Sequence, residues 1–273
     1  MPKEIKTYRS FLFEELESQI GLVTLNRPEK LNAINVEMVE DFEDLYTLLA
    51  KDDSIRVLIV TGKGRGFCAG ADLSEVSQFQ NHEAFANPES FLRMVQERYS
   101  GIVLGLRSIP QPVIAAVNGP AAGGGMAIAM GADIRLASPE AYFVASFINI
   151  GLSGGEMGSS YLLPRLVGLS RAADILLTGR KVKADEAEQI GLVSKVVPAD
   201  HLIPEALAYG RMMISKAVGG LKLTKRVLDQ NLETASLAAG INLENRNQAI
   251  MLYSGPFLGL IQSFAQSGNK GDK

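Results

Sequence analysis

Phe67-Cys68-Ala69-Gly70-Ala71-Asp72-Leu73 and, about 50 residues further on, Gly123-Gly124-Gly125 are the stretches that decide how this chain folds. Each follows a short, almost wholly apolar run: Val57–Thr61 before the first, Val113–Val117 before the second. Apolar runs of this length, rich in β-branched residues, predict strands buried on both faces. A glycine-rich bend after such a strand leaves backbone N–H groups without ladder partners. Two such groups aimed at one point hold a carbonyl oxygen and stabilise the negative charge that develops on it. The pair of bends therefore predicts an enzyme that binds a carbonyl compound.

Working outward, Phe11–Glu17 and Ile20–Asn26 read as strands joined by a turn near Gln19 and Gly21. Asn26–Ala33 is a loop, and Asn35 is an N-cap for a helix over Val36–Ala50, whose Met38, Phe42, Leu45 and Leu49 recur at helical spacing. Ser77–Pro88 is polar and aperiodic, and is expected to be mobile. A helix over about Glu89–Leu106 is stopped by Pro110 and Pro112, and a small-residue helix over Met126–Met130 precedes a strand over Ile134–Ala137. Strand, loop, helix and strand recur at roughly 50-residue spacing, which argues for an α/β fold of connected ββα units. From Ala184 to about Gln266 the pattern is helical apart from Leu192–Val197, and the polar Ser267–Lys273 is expected to fray.

Of the 273 residues 47% are hydrophobic, enough for a large core. The net charge of −3 gives no electrostatic footprint for nucleic acid. A single cysteine, Cys68, excludes an intramolecular disulfide and suits a reducing compartment. No secretory signal and no long uncharged apolar run are visible, so the expectation is a cytoplasmic protein without a membrane span.

With Asn26–Ala33, Phe67–Leu73 and Asn118–Ile134 in this order and spacing, the chain resembles the crotonase superfamily, the enoyl-CoA hydratase/isomerase fold, from about residue 11 to 265. The resemblance implies an α/β spiral of ββα units: residues 1–200 form the core with the acyl-CoA site, and 201–273 a helical C-terminal trimerisation region. It implies an acyl-CoA thioester substrate and a homotrimer or homohexamer. Coenzyme A is then part of the substrate, and neither a separate cofactor nor a metal is expected. Carried over by position, the resemblance puts the oxyanion hole at the backbone N–H groups of Ala71 and Gly124, the latter at a helix N-terminus. It puts coenzyme A contacts at Lys30, Leu31 and Ala33 in the first loop and at Ala69, Asp72 and Leu73 in the second. Asp72 reads equally as a cap for the following helix.

The hydratases of this superfamily use two glutamates, and the matching positions here hold Ala127 and Phe147. Neither side chain moves a proton. The candidate that is left is Glu156, in Gly151-Leu152-Ser153-Gly154-Gly155-Glu156-Met157-Gly158, where other members carry an aspartate. It is expected at the start of a helix continued by Ser160–Val167. A helix N-terminus favours its charged form, while Phe143, Phe147, Ile148 and Met157 nearby disfavour it. A single carboxylate suits a proton relay and hence double-bond isomerisation. Hydration of a 2-enoyl-CoA and a non-catalytic thioester binder are the alternatives, and Glu156 reads also as a carboxylate that only satisfies the helix dipole.

Gly151-Leu152-Ser153-Gly154-Gly155 also fits the G-x-S-x-G nucleophile elbow, which needs a later histidine. The one available, His201, lies in a polar stretch that reads as surface. His82 and His201 are isolated, and no acidic cluster has metal-ligand spacing. Lys63 and Arg65 follow a strand but lack any nucleotide-loop signature; they are candidates for electrostatic contact with coenzyme A phosphates.

Overall fold

The structure is a computed structural model and describes residues 3–78 and 82–268. The strands are β1 (Lys3–Thr7), β2 (Phe11–Glu17), β3 (Ile20–Leu25), β4 (Val57–Gly62), β5 (Val113–Val117), β6 (Ala121–Ala122), β7 (Ile134–Ala137), β8 (Tyr142–Val144), β9 (Lys181–Lys183) and β10 (Lys195–Val196). The helices are α1 (Val36–Lys51), α2 (Leu73–Gln78), α3 (Pro88–Phe91), α4 (Glu97–Ser108), α5 (Gly124–Gly131), α6 (Ser159–Val167), α7 (Leu169–Thr178), α8 (Ala184–Gln189), α9 (Leu202–Ile214), α10 (Val218–Asn231), α11 (Leu237–Leu252) and α12 (Gly255–Gly268). The chain divides into two compact units, Met1–Met212 and Met213–Lys273.

In the first unit a seven-stranded sheet has the order β1-β2-β3-β4-β5-β7-β10. β1, β2 and β3 pair antiparallel, and every neighbour from β3 to β10 pairs parallel. β4 and β5 are buried along their whole length, as parallel strands covered on both faces must be. A second, three-stranded sheet has the order β6-β8-β9. Its strands have two or three residues each and no run long enough to read from periodicity. Within the non-helical stretch Leu192–Val197 the strand is Lys195–Val196, in register with Leu136 and Ala137 of β7, and the flanking Ser194 and Val197 N–H groups donate to the Arg135 and Ala137 carbonyls at 2.8 and 3.0 Å. The turn between β2 and β3 falls at Gln19, with φ 68°, while Gly21 lies within β3 opposite Glu15.

Asn35 caps α1 as expected, its side chain accepting from the Met38 N–H. α1 packs its apolar face on the core, where Phe11 and Phe42 meet with ring centroids 4.9 Å apart. α4 crosses α1 closely enough that a Cβ on Gly105 would stand 2.1 Å from the Tyr46 ring, and the Tyr46 hydroxyl donates to the Ile102 carbonyl. The helix expected over Glu89–Leu106 is present as α3 and α4, joined by a π-helical turn over Leu92–Gln96. The stretch 77–88 lies partly outside the described residues; its described flanks form the end of α2, a 3₁₀ turn over Glu83–Phe85 and the first residue of α3. The tail expected to fray also lies mostly outside them. Among the described residues no helix is long and apolar enough to cross a membrane. The second unit is helical, built from α10, α11, α12 and the end of α9.

Candidate active site

β4 and β5 are parallel neighbours, so the loops that leave their carboxyl ends emerge on the same edge of the sheet, where ligands of open parallel sheets bind. Backbone pairing joins the two loops. The Phe67 and Cys68 N–H groups donate to the Pro120 carbonyl at 3.1 and 3.0 Å, and the Ala122 N–H donates to the Cys68 carbonyl at 2.9 Å. On its other side the first loop pairs with Leu31–Ile34. There Ala69 N–H donates to Leu31, Ile34 N–H to Gly70 and Asp72 N–H to Ile34, at 3.0, 2.7 and 2.8 Å. Three segments distant in sequence thus run side by side.

The bridge between Ile34 and Ala71 is parallel. Its bonds are made by Gly70 and Asp72, so the Ala71 N–H points to the opposite side, toward Pro120–Gly124. Gly70, at φ 87°, admits the close approach: a Cβ there would lie 2.8 Å from the Ala122 carbonyl oxygen and 3.3 Å from the Gly124 nitrogen. Gly124 is the first residue of α5, and its N–H belongs to the turn that has no intrahelical acceptor. Among the described residues neither the Ala71 nor the Gly124 N–H has a hydrogen-bond acceptor. The positive end of the α5 dipole adds to the second donor. At the other end of α5 the buried Arg135 guanidinium donates to the carbonyls of Ala132, at 2.6 Å, Met130 and Ala129, and to Leu192 at 2.8 Å.

Glu156 does not begin a helix, contrary to the sequence expectation. α6 starts at Ser159 with Gly158 as its cap, and the Glu156 carbonyl accepts from the Ser159 N–H. Met157 and Gly158, at φ 47° and 83°, turn the chain left-handed between Glu156 and the helix. The carboxylate therefore stands on a loop outside the first helical turn, and this excludes the reading of Glu156 as a first-turn dipole partner. Met157 is buried, with its Sδ 3.0 Å from where a Cβ on Gly124 would lie, so the Glu156–Met157 pair borders the second N–H donor. The half-buried Glu156 accepts through Oε1 from Gln96 Nε2. Ala127 is fully buried on α5, and Phe147 has its ring 3.3 Å from the Cβ position of Gly123.

The other candidate residues are spread along the paired segments. Lys30 is exposed, with Nζ 3.1 Å from the Ser74 hydroxyl. Leu31, at φ 49°, packs over Gly66; Ala33 is buried, Ala69 half-buried and Leu73 exposed. Asp72 is buried and has both carboxylate oxygens engaged. Oδ1 accepts from the Ser74 N–H and hydroxyl at 3.1 and 2.5 Å, as a cap for α2, and Oδ2 accepts from Arg27 at 2.9 Å. Burial by itself would raise this carboxyl, but the hydrogen bonds of Ser74 and Arg27 and the Arg27 charge outweigh it and hold it below the ordinary range. Arg27, which no sequence motif singles out, also donates to the Ala33 carbonyl at 2.5 Å and so ties the first loop to the second. Cys68 is a core residue, and burial pushes its thiol up to about 12 against the opposing Gly70 N–H and Arg27 charge. Lys63 and Arg65 are exposed beside this loop.

The nucleophile-elbow reading finds no support. Ser153 is exposed on an irregular loop and its hydroxyl accepts from the Gly155 N–H at 3.2 Å, while His201 is exposed beside Asp200. His82 accepts from the Ala84 N–H through Nδ1. Among the described residues no three His, Cys, Asp or Glu side chains gather as a metal site.

A parallel-sheet spiral with two unengaged backbone donors at one edge defines a class, and comparison with known proteins identifies it. The enoyl-CoA hydratase/isomerase family model matches residues 15–254, and the chain is an enzyme belonging to that family. It is 44% identical over 237 residues to a probable enoyl-CoA hydratase of Mycobacterium tuberculosis, covering 87% of this chain and 83% of that one. It is 37% identical over 241 residues to the 1,2-epoxyphenylacetyl-CoA isomerase of Escherichia coli, covering 88% and 89%. Among solved structures, a probable enoyl-CoA hydratase/isomerase from Mycobacterium abscessus superposes with a TM-score of 0.81 at 41% identity, covering 89% of this chain and 90% of that one. A monofunctional enoyl CoA isomerase from M. smegmatis superposes with a TM-score of 0.73 at 40% identity, covering 85% and 98%. The crotonase fold read from the glycine loops is the fold observed.

Proposed function

We propose that this enzyme moves the double bond of a 3-enoyl-CoA into conjugation with its thioester, with Glu156 as the single acid and base. The thioester oxygen lies between the N–H groups of Ala71 and Gly124. Ionised Glu156 takes a proton from C2, the electron pair delocalises into a dienolate whose oxygen the two N–H groups stabilise, and the same carboxyl returns the proton to C4. Glu156 ends ionised, and no oxidant or second base is needed. The observation that carries this reading is the place of Glu156: its neighbour Met157 packs on Gly124, while residues 127 and 147 are Ala and Phe. Lys30, Leu31, Ala33, Ala69 and Leu73 border the coenzyme A path in this reading, and Asp72 shapes it through Arg27 and Ser74. Exposed Leu237, Tyr253 and Phe257 in the second unit support assembly into a homotrimer or homohexamer.

Hydration of a 2-enoyl-CoA is the second reading, favoured by the name of the Mycobacterium tuberculosis relative. Ultraviolet absorbance of the conjugated thioester separates the two. Adding enzyme to a short 3-enoyl-CoA gives a rise under isomerisation, and adding it to the 2-enoyl-CoA gives a fall under hydration. Absence of the rise overturns the isomerase reading.

A further inference from the structure

We infer that Gln96 is a positioning residue for Glu156, its amide holding one carboxylate oxygen so that the other alone carries the proton. The inference rests on the reading of Glu156 as the acid and base. Gln96 Nε2 donates to Glu156 Oε1 across 60 residues of sequence. Among the described residues Glu156 Oε2 has no hydrogen-bond partner, and so it is the oxygen left for substrate.

The helix that carries Gln96 is built to make this contact. Gln96 closes the π-helical turn Leu92–Gln96 at the entry to α4. Such a turn rotates the side chains that precede it relative to those that follow, and it recurs at functional sites. From Gln96 the spacing i, i+3, i+7 brings Tyr99 and Val103 onto the same face. The Tyr99 hydroxyl is 3.4 Å from the carbonyl of Ile34, the residue bridged to Ala71. Val103 Cγ1 lies 3.9 Å from the Cβ position of Gly158, two residues after Glu156. One helix face therefore touches both the segment paired with the first N–H donor and the loop that carries the carboxylate.

The chemistry favours a neutral amide here. A lysine or arginine would lock Glu156 into an ion pair and suppress its basicity. The glutamine N–H holds the carboxylate oxygen as a neutral donor and has no basic atom to compete for the substrate proton. It keeps its bond to Oε1 when Oε2 is protonated, since Oε1 is then the carbonyl oxygen of the acid. The carboxyl does not rotate between proton removal and return, so both steps use one oxygen on one face of the dienolate.

The test uses the full-length protein, a short 3-enoyl-CoA and deuterated water, with wild type, Glu156→Gln, Gln96→Leu and Gln96→Glu assayed together. The inference expects Gln96→Leu to lower kcat by about 10- to 100-fold with KM little changed, as displacement of a catalytic group does. It expects a smaller share of the C2 proton to reach C4 unexchanged, because a freed carboxyl rotates and exchanges with solvent. Gln96→Glu, which keeps the shape and loses the donor, loses at least as much. Wild-type kcat and proton transfer in both Gln96 variants, with Glu156→Gln inactive, overturn the inference and leave the proposed function standing. A lower melting temperature and lower kcat with unchanged proton transfer also overturn it, since that is the mark of a purely structural role. Full activity of Glu156→Gln, or none in wild type, overturns both.

Discussion

A Cβ on Gly125 would stand 2.0 Å from the carbonyl oxygen of Cys68, whereas one on its neighbour Gly124 would meet only side-chain ends, Ile34 Cδ1 at 2.7 Å and Met157 Sδ at 3.0 Å. Gly125 is thus required for the two loops to pair through backbone, and Gly124 for what lies in front of its N–H. Gly125→Ala is expected to lower thermal stability sharply, because neither backbone segment can yield. Gly124→Ala is expected to fold, with Ile34 and Met157 displaced toward the thioester, and to lose about 10²–10³ in kcat, the scale of losing one oxyanion donor. Melting curves and initial rates on the two variants check the contrast; equal melting temperatures sink it.

Glu156→Gln keeps the size and the contact with Gln96 but cannot accept a proton. The expected loss in kcat is about 10²–10⁴-fold, with KM held within about threefold, the range for removing a general base. Steady-state kinetics on the 3-enoyl-CoA measure both.

The ion pair between half-buried Arg27 and buried Asp72 gives the fold an acid-sensitive joint between its first two loops. Because folded Asp72 is held below the usual carboxyl value of about 3.9, its stabilising share is complete above that value and is lost as pH falls through the lower, folded one. The stability difference between wild type and Asp72→Asn should therefore shrink as acid is added below about pH 4. Asp72→Ala, which takes from the half-buried Arg27 its carboxylate partner, should cost about 1–3 kcal/mol near neutrality. Urea unfolding at a series of pH values tests both, and a pH-independent difference would falsify the assignment.

Cys68, buried and pushed up to about 12, should not react with a thiol reagent at neutral pH while the chain is folded. One thiol per chain should react once denaturant is added, as the single cysteine in the sequence requires. Fast labelling of the native protein would place Cys68 outside the core.

What the residues declare locally was legible in order along the chain. Phe11–Glu17 and Val113–Val117 are strands because their side chains alternate or run apolar, and Asn35 caps α1 because its own side chain reaches the Met38 N–H. The glycine bends were legible for the same reason: close backbone approach and positive φ are demands on a single residue, and glycine meets them at Gly70 and Gly123. β6, β8 and β9 carry no such signal, being held by pairing across the sequence, with each other and, for β6, with Cys68. Glu156 could be named as a carboxylate but not placed, since the left-handed turn at Met157 and Gly158 takes it out of the helix. Arg27 on Asp72 and Gln96 on Glu156 were decided by tertiary structure alone. Periodicity and capping act within a few residues, whereas contacts across 45 and 60 residues depend on which faces the packed helices and loops turn toward one another.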